Sequence, residues 1–385
     1  MRFEFATAQR IVFGPGVIAE LPKLALAYGK RAFVVTGKDR IRRAGIVAEL
    51  EGAGFHCTLF GISGEPTIDM AVQGGAAAHL AGSNVVIAIG GGSVVDAGKA
   101  IAAFATNHGD PEEFLEVIGR GRPLRAAPLP FIAVPTTAGT GSEVTRNAVL
   151  GSPEHGVKVS LRSPLMLPTV ALVDPVLTLT LPSDLTAATG LDALTQLIEP
   201  FVCNRANPLT DAICREGIPI AARCLPAAYR NGRDAEARAG MSYASLLGGM
   251  ALANAGLGVV HGFAAPIGGM FDAPHGAVCA AILPHGVAVN IRALRARDPE
   301  GEALRRYTEL ARTLTGSASA SAEDAADWLR ALVQELEVPG LSRYGISPAH
   351  SADIVAKAAK ASSMKANPLP LTHEELAGVF AASLQ

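Results

Sequence analysis

The chain has 385 residues, 49% of them hydrophobic and 18% charged, which is long for a single core and too apolar for disorder. A formal net charge of −2 provides no basic surface for a phosphate backbone, so nucleic acid is excluded as a partner. Five scattered cysteines without a C-x-x-C pair and an N-terminus MRFEFATAQR without an apolar leader predict reduced thiols and a cytoplasmic location.

Apolar runs read as buried strands over Arg31–Gly37, His56–Ile62, Asn84–Gly90 and Pro130–Thr137. Helical patterns separate them, at Ile41–Ala53, Met70–Ala81 and Val94–Ala105. Continuous β-branched runs alternating with helices predict a parallel sheet covered on both faces. Two further strand-like pieces follow, Val157–Leu161 and Thr169–Val173.

After Leu181-Pro182-Ser183 the pattern turns helical. Ser183 or Asp184 is placed to cap a helix through Ala187–Phe201. Further helices are expected at Pro208–Ala222, Ala235–Ala255, Glu300–Leu314, Ala322–Leu336, Ser351–Ala361 and His373–Ser383. The expected division is an α/β dinucleotide-binding domain over 1–180 and an all-helical metal and substrate domain over 181–385. Between Ala239 and Phe271 there is no Asp, Glu, Lys or Arg, but eight glycines interrupt the run. That composition suits a buried helix entering an irregular loop better than a membrane span.

Two loops concentrate ligand-binding chemistry. Gly90-Gly91-Gly92-Ser93 lies between a strand and a helix, with Asp96 and Lys99 in the first turns. Glycines there admit a pyrophosphate, and the helix N-terminus attracts its charge, although a tight strand–helix turn has the same composition. Pro135-Thr136-Thr137-Ala138-Gly139-Thr140-Gly141-Ser142-Glu143 follows another strand, and two such loops lie where open α/β sheets bind ligands.

In the second half Asp192 and Gln196 are spaced i, i+4 on one helix face. His261 and His275 flank a Gly/Pro-rich stretch, Gly262–Pro274, taken as a bend. Two imidazoles and a carboxylate suit a divalent transition metal that polarises an alcohol or carbonyl oxygen, whereas a lone buried histidine is equally compatible with simple hydrogen bonding.

GGGSVVDAGKA (Gly90–Ala100), PTTAGTGSEVT (Pro135–Thr145), ATGLDALTQLIE (Ala188–Glu199), and VVHGFAAP with DAPHG (Val259–Gly276) resemble the iron-containing (group III) alcohol dehydrogenases, in order and over nearly the whole chain. The resemblance implies the dehydroquinate synthase-like fold and hydride transfer between NAD(P)(H) and a small alcohol or carbonyl compound. It implies one Fe²⁺ or Zn²⁺ at Asp192, Gln196, His261 and His275, the first and the two histidines also being the expected catalytic groups. By the family pattern Gln196 stands where a histidine is usual, and Ala265 replaces the second histidine of H-G-x-x-H. A glutamine oxygen is a weaker ligand than imidazole for these ions, so a metal-free reductase resembling maleylacetate reductase is the main alternative. A dehydroquinate synthase-type lyase and a decayed dinucleotide-binding protein are the others.

For the cofactor, the resemblance implies contacts from Gly91, Gly92, Ser93 and nearby Asp96, from Thr136, Thr137 and Thr140, and from Lys158. Gly37 stands where NAD-preferring relatives carry an aspartate, and Lys38 and Arg40 follow it with Asp39 between. Loss of that carboxylate beside two cations leans toward NADP(H). The same resemblance suggests a homodimer or larger homo-oligomer.

Overall fold

The computed structural model describes residues 2–37 and 44–385. Lys38, Asp39, Arg40 and the start of the helix expected from Ile41 lie outside the described residues. The chain divides into two compact units: Ala6–Thr137 with Gly141–Leu179, and Thr180–Gln385 with residues 2–5 and Ala138–Thr140.

Among the described residues the first unit has eight strands: β1 (Ile11–Phe13), β2 (Arg31–Gly37), β3 (His56–Ile62), β4 (Val85–Gly90), β5 (Phe131–Pro135), β6 (Asn147–Ser152), β7 (Val157–Arg162) and β8 (Val170–Val173). Six form a parallel sheet in the order β1-β8-β5-β4-β2-β3. Its helices are α1 (Leu21–Leu26), α2 (Ala44–Gly52), α3 (Ile68–Leu80) and α4 (Gly92–Phe104). Thr67 starts α3 by accepting the Met70 N–H at 3.2 Å, a side-chain N-cap.

The strands read as unbroken apolar runs because both sheet faces are covered. Val34, Ile87, Ile132 and Leu172 pack with Leu21, Leu24 and Leu50 in one cluster. Their neighbours Phe33, Val35, Val86, Ala88 and Phe131 pack with Ala78, Val95 and Ile101 in another. Each fully buried Val, Ile, Leu or Phe contributes about 1.5–3 kcal/mol relative to exposure. β2 and β4 are neighbours, yet the chain leaves β2 for β3 on one side and β4 for β5 on the other. The C-terminal ends of strands flanking such a switch are where open α/β sheets bind ligands.

Sequence reading missed β1 and β6; the strand-like piece Val157–Leu161 is β7, which lies outside the main sheet. β6 and β7 pair antiparallel as a separate two-stranded sheet. A three-residue strand carries too little periodicity to register, and a ribbon joined by a short turn is recognised by its pairing partner more than by its composition.

The second unit is helical: α5 (Ser183–Val202), α6 (Pro208–Arg230), α7 (Ala235–Asn254), α8 (Val259–Met270), α9 (His275–Arg297), α10 (Glu302–Thr315), α11 (Ala322–Glu335), α12 (Ser351–Lys360) and α13 (His373–Ala382). α5 lies at its centre, buried almost continuously from Thr186 to Val202, against α6, α7 and α9. Pro182 takes the position before α5 without a side-chain cap bond, so Ser183 and Asp184 lie inside the helix, where Asp184 Oδ1 accepts the Leu185 N–H at 2.7 Å. The supposed bend at Gly262–Pro274 is largely helix, since α8 runs through Pro266 to Met270. α9, absent from the sequence expectation, is a 23-residue helix containing Pro284. In both, packing of small and apolar side chains outweighs the lost hydrogen bond of an interior proline.

Among the described residues α9 is the one helix long and apolar enough by itself to cross a membrane, and most of it is buried against its neighbours. α7 and α8 meet the same test together but bend by 95° at their junction.

Candidate metal centre and dinucleotide loops

Asp192 sits in the middle of α5, 2% exposed. α8 delivers His261 in its first turn, and α9 begins at His275. Gly276 makes the approach of α9 possible, because a Cβ there would overlap the carbonyl of Ala188 on α5. The result is convergence. His261 Nε2 lies 3.3 Å and His275 Nε2 3.8 Å from Asp192 Oδ1, and the two imidazole centroids are 5.5 Å apart.

A fourth group joins them. Cys279, fully buried one turn into α9, places Sγ 3.6 Å from His275 Nε2 and 3.9 Å from His261 Nε2. One ligand atom from each of Asp192, His261, His275 and Cys279 lies within 4.8 Å of all the others. Sequence reasoning passed over Cys279; its signal was the i, i+4 spacing from His275, the same spacing that drew attention to Asp192 and Gln196.

Glu199 was also missed, and it stands seven residues beyond Asp192 on the same face of α5. Its Oε1 accepts the Val260 N–H at 2.7 Å, and its Oε2 lies 2.7 Å from His261 Nδ1. That contact fixes Nδ1 as the protonated nitrogen and turns Nε2 toward Asp192, the carboxylate–histidine arrangement that orients a metal ligand.

The electrostatics are those of a site that attracts cations. Burial opposes charge on His261, yet Cys279, Asp192 and Glu199 hold its pKa well above the ordinary imidazole value. The Cys279 sulfur is the largest influence on His275, whose pKa rises to about 9 against the opposition of burial. Burial also works against the Asp192 carboxylate, but His275, His261 and a hydrogen bond from Gln196 bring its pKa below the usual value. Asp192 Oδ1 and Gln196 Oε1 are nonetheless buried without a hydrogen-bond partner. Unpartnered buried oxygens are costly, and a divalent cation held among carboxylate, imidazole and sulfur donors would satisfy Asp192 Oδ1. The residues present fit a metal ion.

Ala265 lies on α8 one turn after His261 and is exposed. It offers no titratable group.

In the α/β unit, Gly91 precedes α4 and Gly92 and Ser93 form its first turn. A Cβ at Gly91 would come within 3.2 Å of Thr137, and Thr136 N–H bonds to the Gly90 carbonyl at 2.9 Å. The glycine loop after β4 and the threonine loop after β5 are therefore in contact. Thr140 clusters with the helical unit rather than with Thr136 and Thr137.

Asp96 turns inward. It accepts the Val149 N–H at 3.0 Å and the Ser142 hydroxyl, and pairs with Lys99 at 3.0 Å. Lys99, fully buried, also donates to the Ser142 carbonyl at 3.0 Å, to Thr145 Oγ1 at 2.9 Å and to the Asn147 carbonyl. Lys158, on β7, pairs with Glu65 at 3.5 Å. Gly37 ends β2.

Residues 8–175 match the family described as iron-containing alcohol dehydrogenase, and residues 186–384 match the Fe-containing alcohol dehydrogenase family, C-terminal. The chain belongs to the iron-containing alcohol dehydrogenase family. It is 35% identical to the 1,3-propanediol dehydrogenase of Klebsiella pneumoniae over 98% of each chain. Among solved structures it is similar to a 1,3-propanediol oxidoreductase, with a TM-score of 0.90, 32% identity and full coverage of both chains. A sulfoacetaldehyde reductase from Bifidobacterium kashiwanohense, solved in complex with NAD⁺, gives a TM-score of 0.87 at 26% identity, covering 100% of this chain and 99% of that one. The protein is accordingly an alcohol dehydrogenase, an oxidoreductase acting on small-molecule alcohols.

Proposed function

We propose that the protein transfers hydride between a nicotinamide dinucleotide and a small alcohol or carbonyl compound with the help of a divalent metal ion at Asp192, His261 and His275. The observation that carries this reading is the convergence of those three side chains, with Glu199 holding the His261 ring in place. When bound, the metal serves as a Lewis acid for the substrate oxygen and the nicotinamide exchanges the hydride. Asp192 contributes the negative charge of the centre, and Glu199 keeps the His261 Nδ1 proton so that Nε2 is free to ligate. Gln196, one turn from Asp192 on α5, keeps a buried carbonyl oxygen without a hydrogen-bond partner.

Gly91, Gly92 and Ser93, at the start of α4, are the proposed pyrophosphate site, since first-turn N–H groups and the helix dipole favour anionic oxygens. Thr136, Thr137 and Thr140 are proposed to line the dinucleotide, and Lys158 to reach a ribose. Asp96 acts through other residues, tying α4 to Ser142 and β6. Within this reading the cofactor is NADP(H) in preference to NAD(H), because Gly37 presents no carboxylate to repel a 2′-phosphate. Ala265 leaves room beside His261, which favours substrates larger or more polar than a short unbranched alcohol.

Purified protein, assayed with NADPH and NADH against aldehydes of increasing size and polarity, should oxidise NADPH with the higher kcat/KM. It should lose that activity when Asp192 is replaced by Asn. Full activity after complete metal removal would favour the metal-independent alternative, and no turnover of any carbonyl compound would reject the hydride-transfer reading.

A further inference from the structure

Resting on the metal reading above, we infer that Cys279 is a fourth ligand, so that the centre is Asp192, His261, His275 and the Cys279 thiolate rather than a set completed by Gln196. The argument is geometric. Tetrahedral coordination with metal–nitrogen and metal–oxygen bonds of about 2.0–2.2 Å and metal–sulfur bonds of about 2.3 Å puts nitrogen and oxygen ligands about 3.4 Å apart, and sulfur about 3.5 Å from nitrogen. His261 Nε2 and Asp192 Oδ1 are 3.3 Å apart, and Cys279 Sγ lies 3.6 Å and 3.9 Å from the two Nε2 atoms. With the 3.8 Å between His275 Nε2 and Asp192 Oδ1, four of the six edges of a ligand tetrahedron run from 3.3 to 3.9 Å, a few tenths of an ångström wide of the bonded lengths at most, with sulfur at one corner.

Burial is the second observation. Cys279 is fully buried, and Asp192 Oδ1 is buried without a partner beside it. Gln196, one turn from Asp192 on α5, also has a buried Oε1 without a hydrogen-bond partner, but a neutral amide oxygen is a weaker donor to these ions than a thiolate; it is the competing donor. Ligation takes the thiol proton from Cys279 and forms a sulfur–metal bond, with the proton passing to solvent. Carboxylate and thiolate together then neutralise the divalent charge.

Softness gives the consequence. Nitrogen, oxygen and sulfur sites all bind Zn²⁺ more tightly than Fe²⁺, and a soft thiolate widens that gap more than a glutamine oxygen does. The protein should therefore retain Zn²⁺ in competition with Fe²⁺.

Metal-depleted full-length protein reloaded with Zn²⁺, and separately with Co²⁺, tests this. X-ray absorption at the zinc edge should require one sulfur at about 2.3 Å together with nitrogen and oxygen ligands. The cobalt form should show a near-ultraviolet thiolate-to-cobalt charge-transfer band at one ion per chain. Cys279→Ser should abolish that band while retaining the ligand-field bands, and should weaken Zn²⁺ binding more than about 10-fold, the lower bound for losing even an outer partner. Gln196→Ala should keep the band. Should Cys279→Ser fail to fold, the zinc-edge spectrum of the unaltered protein decides alone. One ion per chain bound by nitrogen and oxygen only would overturn the Cys279 assignment and leave the metal centre standing; failure of the unaltered protein to bind either ion would remove both.

Discussion

At the candidate metal cluster, His261 is held by a side chain that does not itself meet the centre. That side chain is Glu199, with one carboxylate oxygen on the backbone of Val260 and the other on the ring of the next residue, His261. Replacing Glu199 by Gln keeps the size and loses the charge that anchors the Nδ1 proton. Loss of such an outer partner typically costs 10–100-fold in metal affinity. Glu199→Gln should therefore bind Zn²⁺ about 10–100-fold more weakly with an unchanged far-ultraviolet circular dichroism spectrum, as read by competition with a chromophoric chelator. Unchanged affinity would show that helix packing alone orients His261.

The threonine loop and α4 are joined by a buried ionic cluster. Burial pushes the Lys99 pKa down, and Asp96 opposes that shift. Burial raises the Glu143 carboxyl from 4.5 to about 7, with its own backbone hydrogen bond and Lys99 opposing. The physical sense is charge balance: one buried lysine is neutralised by Asp96, and a second full negative charge at Glu143 is disfavoured. The folded state then holds the Glu143 proton more tightly than the unfolded chain does. Its contribution to stability is complete below pH 4.5 and is lost as the pH rises through about 7. Glu143→Gln should flatten the decline in urea midpoint across that window, by the equivalent of about 1–3 kcal/mol. An identical decline in the variant would place the titration elsewhere.

Elements were legible where local pattern and tertiary environment agree. β2 and β4 are strands by composition because covered faces permit nothing but apolar residues, and α3 carries its own start signal in Thr67. α9 was not legible. Its proline, its glycines and its lack of a polar face conceal a helix whose stability comes from neighbours on every side. β6 was hidden for a related reason, since its partner is the hairpin strand β7 and not the main sheet.

For the molecule as a whole, the α/β unit and the helical unit each have their own core, and each is proposed to hold a different ligand. Binding to the folded state alone stabilises by mass action, about 2.7 kcal/mol at a ligand concentration 100 times its Kd. NADP⁺ should therefore raise the melting temperature, and NAD⁺ at equal concentration should raise it less, as followed by differential scanning calorimetry. Equal shifts would remove the NADP(H) preference, which rests on the single missing carboxylate at Gly37.

The sequence by itself determined the family, the alternation of strands and helices in the first half, the helical second half, and the ordered motifs around Gly91, Thr137, Asp192, His261 and His275. Those features are written in local composition and spacing, which survive without knowledge of the fold. Tertiary structure alone decided that Cys279 and Glu199 meet His261, that Asp96 meets Ser142 and the Val149 N–H, and that α8 and α9 are helices despite their prolines. Such contacts join residues up to 87 positions from Asp192, and nothing in a linear pattern fixes which of many buried polar groups will share one low-dielectric space.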